Sequence, residues 1–166
     1  MSAYEITEIE IVYKNPVAPQ DMAQVKHSGG AFNVFIDEWN LDRLHLFAEA
    51  KLLCLTGAGR VLGIANLPSG GASGHVVDTR VAFMTALKAN ATSIYIAHNH
   101  PSNNLKPNDA DKQMYLQLSE AAKLLNIQLL DYLILDYNGF YSFADDELIA
   151  RVIHNDDYYF EKMLPF

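Results

Sequence analysis

The run Ser93-Ile94-Tyr95-Ile96-Ala97 is apolar, short and rich in β-formers, the signature of a buried strand. It ends in His98-Asn99-His100-Pro101-Ser102. Strand side chains alternate faces, so His98 and His100 point to one side if the strand continues that far. Eleven residues beyond His100 stands Asp111, just after Pro107-Asn108-Asp109-Ala110. Asn108 is a good N-cap, and the segment after it has helical periodicity, so Asp111 falls in a first helical turn that can face back to the strand end. Two imidazoles and one carboxylate, with room for water as a fourth ligand, match the donor count of a catalytic zinc centre. The same Asn108-x-x-Asp111 spacing is also a capping-box pattern that needs no metal, with Asp in place of the usual Glu or Gln. Both readings stand at this point.

The 166 residues argue for one domain with a sizeable core. Half are hydrophobic and 19% charged, a globular rather than a disordered composition. The formal net charge of -8 opposes a phosphate backbone, so tight nucleic-acid binding is not expected. Cys54 is the single cysteine, which excludes an intrachain disulfide and a cysteine-based zinc site; its apolar surroundings suit a buried core thiol. No stretch is long enough to span a membrane, and the N-terminal residues lack the pattern of a signal peptide. The expected location is the cytoplasm.

Tyr4 to Tyr13 partly alternates, with Ile9 and Ile11 on one side and Glu8 and Glu10 on the other, and predicts a strand. Pro16 and Pro19 break it. Ser28-Gly29-Gly30 lacks a following Gly-Lys-Ser/Thr, so it opens a helix rather than a phosphate loop, with Ser28 as cap. That helix runs to about Trp39, with Phe32, Phe35 and Ile36 on one face. Leu44 to Leu55 predicts a strand, and Val61 to Ala65 its hairpin partner across Thr56–Arg60. Pro68 to Gly74 is a glycine-rich loop, either a groove wall or a connector. Asp78 caps a helix with Ala82, Phe83, Ala86 and Leu87 as its stripe. The helix from Asn108 carries Met114, Leu118, Ala121, Ala122 and Leu125 at core spacing. Ile127 to Leu135 predicts a strand that turns at Asn138-Gly139 and returns as Tyr141-Ser142-Phe143. A short helix is expected over 145–153. The tail 154–166, with Tyr158, Tyr159 and Phe160, reads as a frayed end or an interface strip. The domain reading is therefore an N-terminal strand-and-helix extension over 1–40, a main domain over 41–153 and the tail.

His98-Asn99-His100-Pro101-Ser102 with Asp111 resembles the JAMM signature of JAB/MPN metalloenzymes, and more closely that of their RadC-like branch. The likeness extends to Gly59-Arg60-Val61-Leu62-Gly63, Val76-Val77-Asp78-Thr79-Arg80, Leu130-Asp131-Tyr132-Leu133-Ile134 and Tyr141-Ser142-Phe143-Ala144-Asp145. It covers about residues 44 to 150. The resemblance implies an α/β fold, a mixed curved β-sheet flanked by helices in the JAB/MPN (cytidine-deaminase-like) architecture. It implies a zinc-dependent metallohydrolase cleaving amide or isopeptide bonds, with His98, His100 and Asp111 as ligands. It assigns Glu49, on an early strand, as general base, and Ser102 and Asp131 as second-shell or substrate-side residues. A one-residue shift on a strand changes its face, so the Glu49 assignment turns on register. Three positions depart from the family pattern: Asn108 stands for a serine thought to steady the oxyanion, Asn103 for glycine, and Tyr132 for histidine. Full-length relatives often carry a helix-hairpin-helix module ahead of this domain, for which residues 1 to 40 are too short.

Two alternatives of other classes remain: a non-catalytic module that docks a protein partner, and a DNA-repair-associated protein, as the family name suggests. A zinc nucleoside deaminase is disfavoured because no Pro-Cys-x-x-Cys follows the histidines. The sequence leaves a protein or peptide substrate and an oligomer open as partners and names neither; no membrane is expected. His27, His45, His75 and His154 have no partner at ligand spacing and read as surface or loop residues.

Overall fold

The structure is a computed structural model that describes residues 5–12, 14–68, 77–154 and 157–162. Its centre is a seven-stranded sheet in the order β2-β1-β3-β4-β5-β6-β7. The strands are β1 (Ala50–Leu55), β2 (Val61–Leu67), β3 (Ser93–Asn99), β4 (Gln128–Asp136), β5 (Gly139–Ser142), β6 (Glu147–His154) and β7 (Asp157–Lys162). Only β3 and β4 are parallel; every other neighbouring pair is antiparallel. A parallel pair needs a crossover, here the 16-residue helix α3 (Asp109–Leu124). Helix α1 (Ser28–Glu38) packs on β1, β4 and β5, and α2 (Thr79–Lys88) on α3 and β2. The expected mixed α/β sheet with flanking helices is the fold found.

The alternation of strand side chains divides the core in two. Leu52, Cys54, Ile94, Ile96 and Tyr132 meet α2 and α3 through Phe83, Met114 and Leu118. Leu53, Leu55, Tyr95, Leu133 and Leu135 meet α1 through Phe32, Phe35 and Trp39. β3 is buried at every position because it is covered on both faces, which is why it reads as an unbroken apolar run. Cys54 is buried, and burial pushes its thiol up to about 11.

Several expected elements are corrected. Residues 5–12 are not in a strand; they are exposed and pair with no described strand. Their alternation supplies a strand-former, but a strand also needs a partner edge. The strand expected from Leu44 starts at Ala50, because the Asn99 side chain holds the preceding loop. Its amide donates to the carbonyls of Leu44 (2.7 Å) and Phe47 (2.8 Å), and its oxygen accepts from the Glu49 N–H (2.7 Å). His27, not Ser28, caps α1, accepting from Gly30 N–H. Residues 147–154 form β6 rather than a helix, and the supposed tail returns as β7 along it. Ile149, Val152 and Ile153 are β-branched and suit the hairpin. The β4–β5 hairpin turns as expected: Asp136 accepts from the N–H groups of Asn138 and Gly139, and a Cβ on Gly139 would lie 2.3 Å from the Ile149 carbonyl oxygen. Residues 69–76, with His75 and most of the glycine-rich loop, lie outside the described residues.

Candidate metal centre

The parallel pair β3–β4 places the site. His98 is the penultimate residue of β3, opposite Ala50 of β1 and Ile134 of β4, and is fully buried on the α3 face. The chain then leaves the sheet through Pro101-Ser102-Asn103. Asn103 takes a left-handed conformation (φ 64°), which asparagine tolerates and which accounts for glycine being the family residue there. The turn carries His100 back over the strand end, where its Nδ1 donates to the Asn104 carbonyl at 2.6 Å. A donating Nδ1 leaves the Nε2 lone pair facing inward.

Asp111 arrives from α3. Asn108 accepts from the Asp111 N–H (2.8 Å) while Asp111 Oδ2 accepts from the Asn108 N–H (2.8 Å), a complete capping box. The two sequence readings of this spacing are thus compatible, since the box holds the carboxylate in place. Asp111 Oδ1 lies 3.2 Å from His98 Nε2, Oδ2 lies 3.1 Å from His100 Nε2, and the two Nε2 atoms are 3.1 Å apart. Donors about 2.0–2.1 Å from one tetrahedral ion stand roughly 3.3 Å apart, so the group fits a metal of that size. The donor chemistry fits too. Three groups that can offer lone pairs, two of them buried, bring their ligand atoms within 4.8 Å of one another.

The electrostatics follow from burial and proximity. Burial holds His98 below the ordinary imidazole value, so it is neutral. The hydrogen bond with Asp111 raises His100 despite partial burial. Burial alone would raise Asp111, but the hydrogen bonds from His100, His98 and the Asn108 backbone outweigh it and hold the carboxyl well below the usual range. Tyr132 stacks on His98, with ring centroids 5.0 Å apart and planes at 29°, and packs in turn on Tyr115 and Phe143. Burial keeps its phenol neutral. His98 Nδ1 is buried and has no hydrogen-bond partner among the described residues, so on that side the imidazole is held by packing against the Tyr132 ring.

The other expected site residues lie elsewhere. The Glu49 backbone sits beside Asn99, one position from the Ala50–His98 register. Its carboxylate is 3.1 Å from Arg43 Nε, an ion pair without hydrogen-bond alignment, and its charge acts on Lys51, over the Trp39 ring. Asp131 faces α1. Its Oδ1 accepts from the N–H groups of Tyr132 (2.7 Å) and Ala144 (2.9 Å), and its Oδ2 from the hydroxyls of Ser28 (2.7 Å) and Ser142. Burial raises its pKa in spite of these four donors. Ser102 is exposed, its hydroxyl accepting from Asn104 N–H at 3.4 Å. The structure thus brings together His98, His100, Asp111 and Asn108. Sequence reading missed Asn99 and Asn104 as supports; the only available signal was their nearness to the histidines.

The fold and site together define an α/β domain whose His-His-Asp group, at the carboxyl end of its parallel strand pair, could hold a metal ion. The model of the RadC-like JAB domain matches residues 31–148, and the chain belongs to that family. Among curated relatives, a UPF0758 protein of Flavobacterium johnsoniae is 38% identical over 98 residues, covering 59% of this chain and 43% of that protein. One of Porphyromonas gingivalis is 36% identical over 102 residues (61% and 45%), and one of Thermotoga maritima 31% over 96 (58% and 43%). The chain thus spans under half the length of these relatives.

Proposed function

We propose that this domain is a zinc-dependent hydrolase that cleaves amide or isopeptide bonds. The observation that carries the reading is the convergence of His98, His100 and Asp111 at 3.1–3.2 Å. Zinc held there would supply Lewis acidity and a water acidified to near neutrality. The chain's own residues supply the rest. Asp111, fixed by its capping box, and His100, fixed by the Asn104 carbonyl, keep their donor atoms in place. The Asn108 side-chain oxygen is taken by the cap, which leaves its amide as a donor for an oxyanion. Glu49 takes the proton and returns it to the leaving amine; to do so its carboxylate must leave Arg43 and turn to the α3 face.

One observation favours a second reading, a metal-holding module that docks a protein without turning it over: the Glu49 carboxylate pairs with Arg43 rather than with the His-His-Asp group. Zinc content and turnover of a generic isopeptide separate the two. Wild type is expected to bind one zinc and to hydrolyse the substrate. His100→Ala should lose both, and Glu49→Gln should keep zinc while losing roughly 10² or more in rate. Full zinc occupancy without turnover, in wild type and Glu49→Gln alike, would hand the site to the docking module. Sub-stoichiometric zinc unaffected by His100→Ala would remove the metal from both readings.

A further inference from the structure

Residues 5–12, Glu-Ile-Thr-Glu-Ile-Glu-Ile-Val, are the least covered apolar stretch described. Ile6, Ile9 and Ile11 are 90%, 88% and 87% exposed. Single exposed aliphatics are ordinary, but three within six residues form a patch that marks an interaction site. The alternation of Ile9 and Ile11 with Glu8 and Glu10 is that of a strand with one apolar face. Yet no backbone hydrogen bond between described residues involves this segment. It is a strand-former without a sheet.

The sheet has a matching vacancy. β2 is a terminal strand. Among the described residues its outer edge is covered only at its start, where Val61 N–H donates to the Ala23 carbonyl and Val25 N–H to the Gly59 carbonyl, both at 2.8 Å. From Leu62 onward, no described strand lies outside it. Leu62 and Ile64 each pack on one of the two cores and are only half-buried, so an added strand would finish covering both faces. A Cβ on Gly63 would meet nothing within 4 Å, and glycine inside a strand often marks the approach of another backbone. Charge separates the two sheet edges. β2 has no charged residue, whereas β7 carries Asp157, Glu161 and Lys162, a net negative strand that favours a segment bearing Glu5, Glu8 and Glu10 less than β2 does.

We propose that residues 5–12 of one copy add as an outer strand to β2 of a second copy, and reciprocally, making a two-fold dimer by strand exchange. The segment's own β2 is not its partner here: Pro16, Pro19 and the 3-10 turn Pro19–Asp21 separate it from Ala23–Val25, and no backbone hydrogen bond between described residues joins it to β2. Exchange removes an exposed edge and an exposed apolar stripe together. The inference is independent of the metal chemistry.

The test compares the full chain with an Ile9→Lys/Ile11→Lys variant, whose changes fall on exposed side chains and leave the monomer fold alone. Light scattering should read twice the 18.6 kDa of one chain for wild type and the single-chain mass for the variant. Hydrogen exchange should show the amides of 62–66 slower in wild type than in the variant. An unchanged far-ultraviolet circular dichroism spectrum serves as the fold control. A wild-type monomer would overturn the proposal, even with protection at 62–66, because the segment would then lie on its own sheet. So would a dimer that survives both lysines, or one whose loss changes exchange at 157–162 and not at 62–66.

Discussion

Tyr132 does by packing what a hydrogen bond does for His100. Its ring lies on His98, whose Nδ1 has no partner, and it is itself wedged against Tyr115 and Phe143. Tyr132→Ala should therefore cost about 3–5 kcal/mol in urea unfolding, as for other large buried aromatics. Zinc affinity should also fall by about 10–100-fold, the usual effect of losing a support behind a ligand. Tyr132→Phe keeps the stack and should hold stability to within about 1 kcal/mol of wild type. His100 governs the pH response. Its raised pKa means that, without metal, protonated His100 beside Asp111 adds stability below the ordinary value of about 6.5, which is lost as pH rises through the raised native value. With zinc the sign reverses, since the ligand must be deprotonated. The melting-temperature gap between zinc-loaded and chelator-treated protein should widen from pH 6 to pH 8. A gap that narrows would mean that His100 is not a ligand.

Two elements depend on polar side chains at their ends. Asn108 caps α3, and Asn108→Ala should lose about 1 kcal/mol. Asn108→Ser keeps the cap and should be nearly neutral in stability; turnover of both variants then tests the oxyanion role apart from the fold. Asp131 joins α1, β4 and β5. Asp131→Ala leaves two backbone N–H groups, those of Tyr132 and Ala144, without their acceptor. At about 1–3 kcal/mol for each buried unsatisfied group, a loss of several kcal/mol is expected in denaturant titration. Asp131→Asn can keep its oxygen on those two N–H groups and turn its amide to the serine hydroxyls, so it should cost much less. Because Asp131 lies on the α1 face, zinc stoichiometry should not change in either variant.

For the whole molecule, a metal held at the His-His-Asp group would be a source of native-state stability. At free zinc 100 times its dissociation constant, linkage gives about 2.7 kcal/mol. Removing zinc should lower the unfolding midpoint by that order in wild type and by nothing in His98→Ala, read by calorimetry without any substrate. No helix among the described residues is long and apolar enough to cross a membrane. The charge of -8 predicts at most weak, salt-sensitive binding of duplex DNA, which a titration in salt would test.

The convergence of His98, His100 and Asp111 was legible in the sequence because strand and helix geometry are local. His98 and His100 sit at a strand end, Asn108 starts a helix, and Asp111 must then lie in its first turn. The same holds for the buried β3, for the Asn138-Gly139 hairpin and for Met114, Leu118 and Ala122 of the α3 stripe, but not for Leu125, which caps the helix and is 39% exposed. Where long-range pairing decides, sequence fell short. Residues 147–154 and 157–162 became strands because each had a neighbour with which to pair, while residues 5–12, with an equally good pattern, had none among the described residues. Asn99 moved the start of β1 to Ala50 through three hydrogen bonds to residues about fifty positions away. The placement of Glu49 and Asp131 relative to the metal donors was likewise a tertiary decision. Alternation along a strand tells which residues share a face, but the face that receives the site depends on which helix packs there.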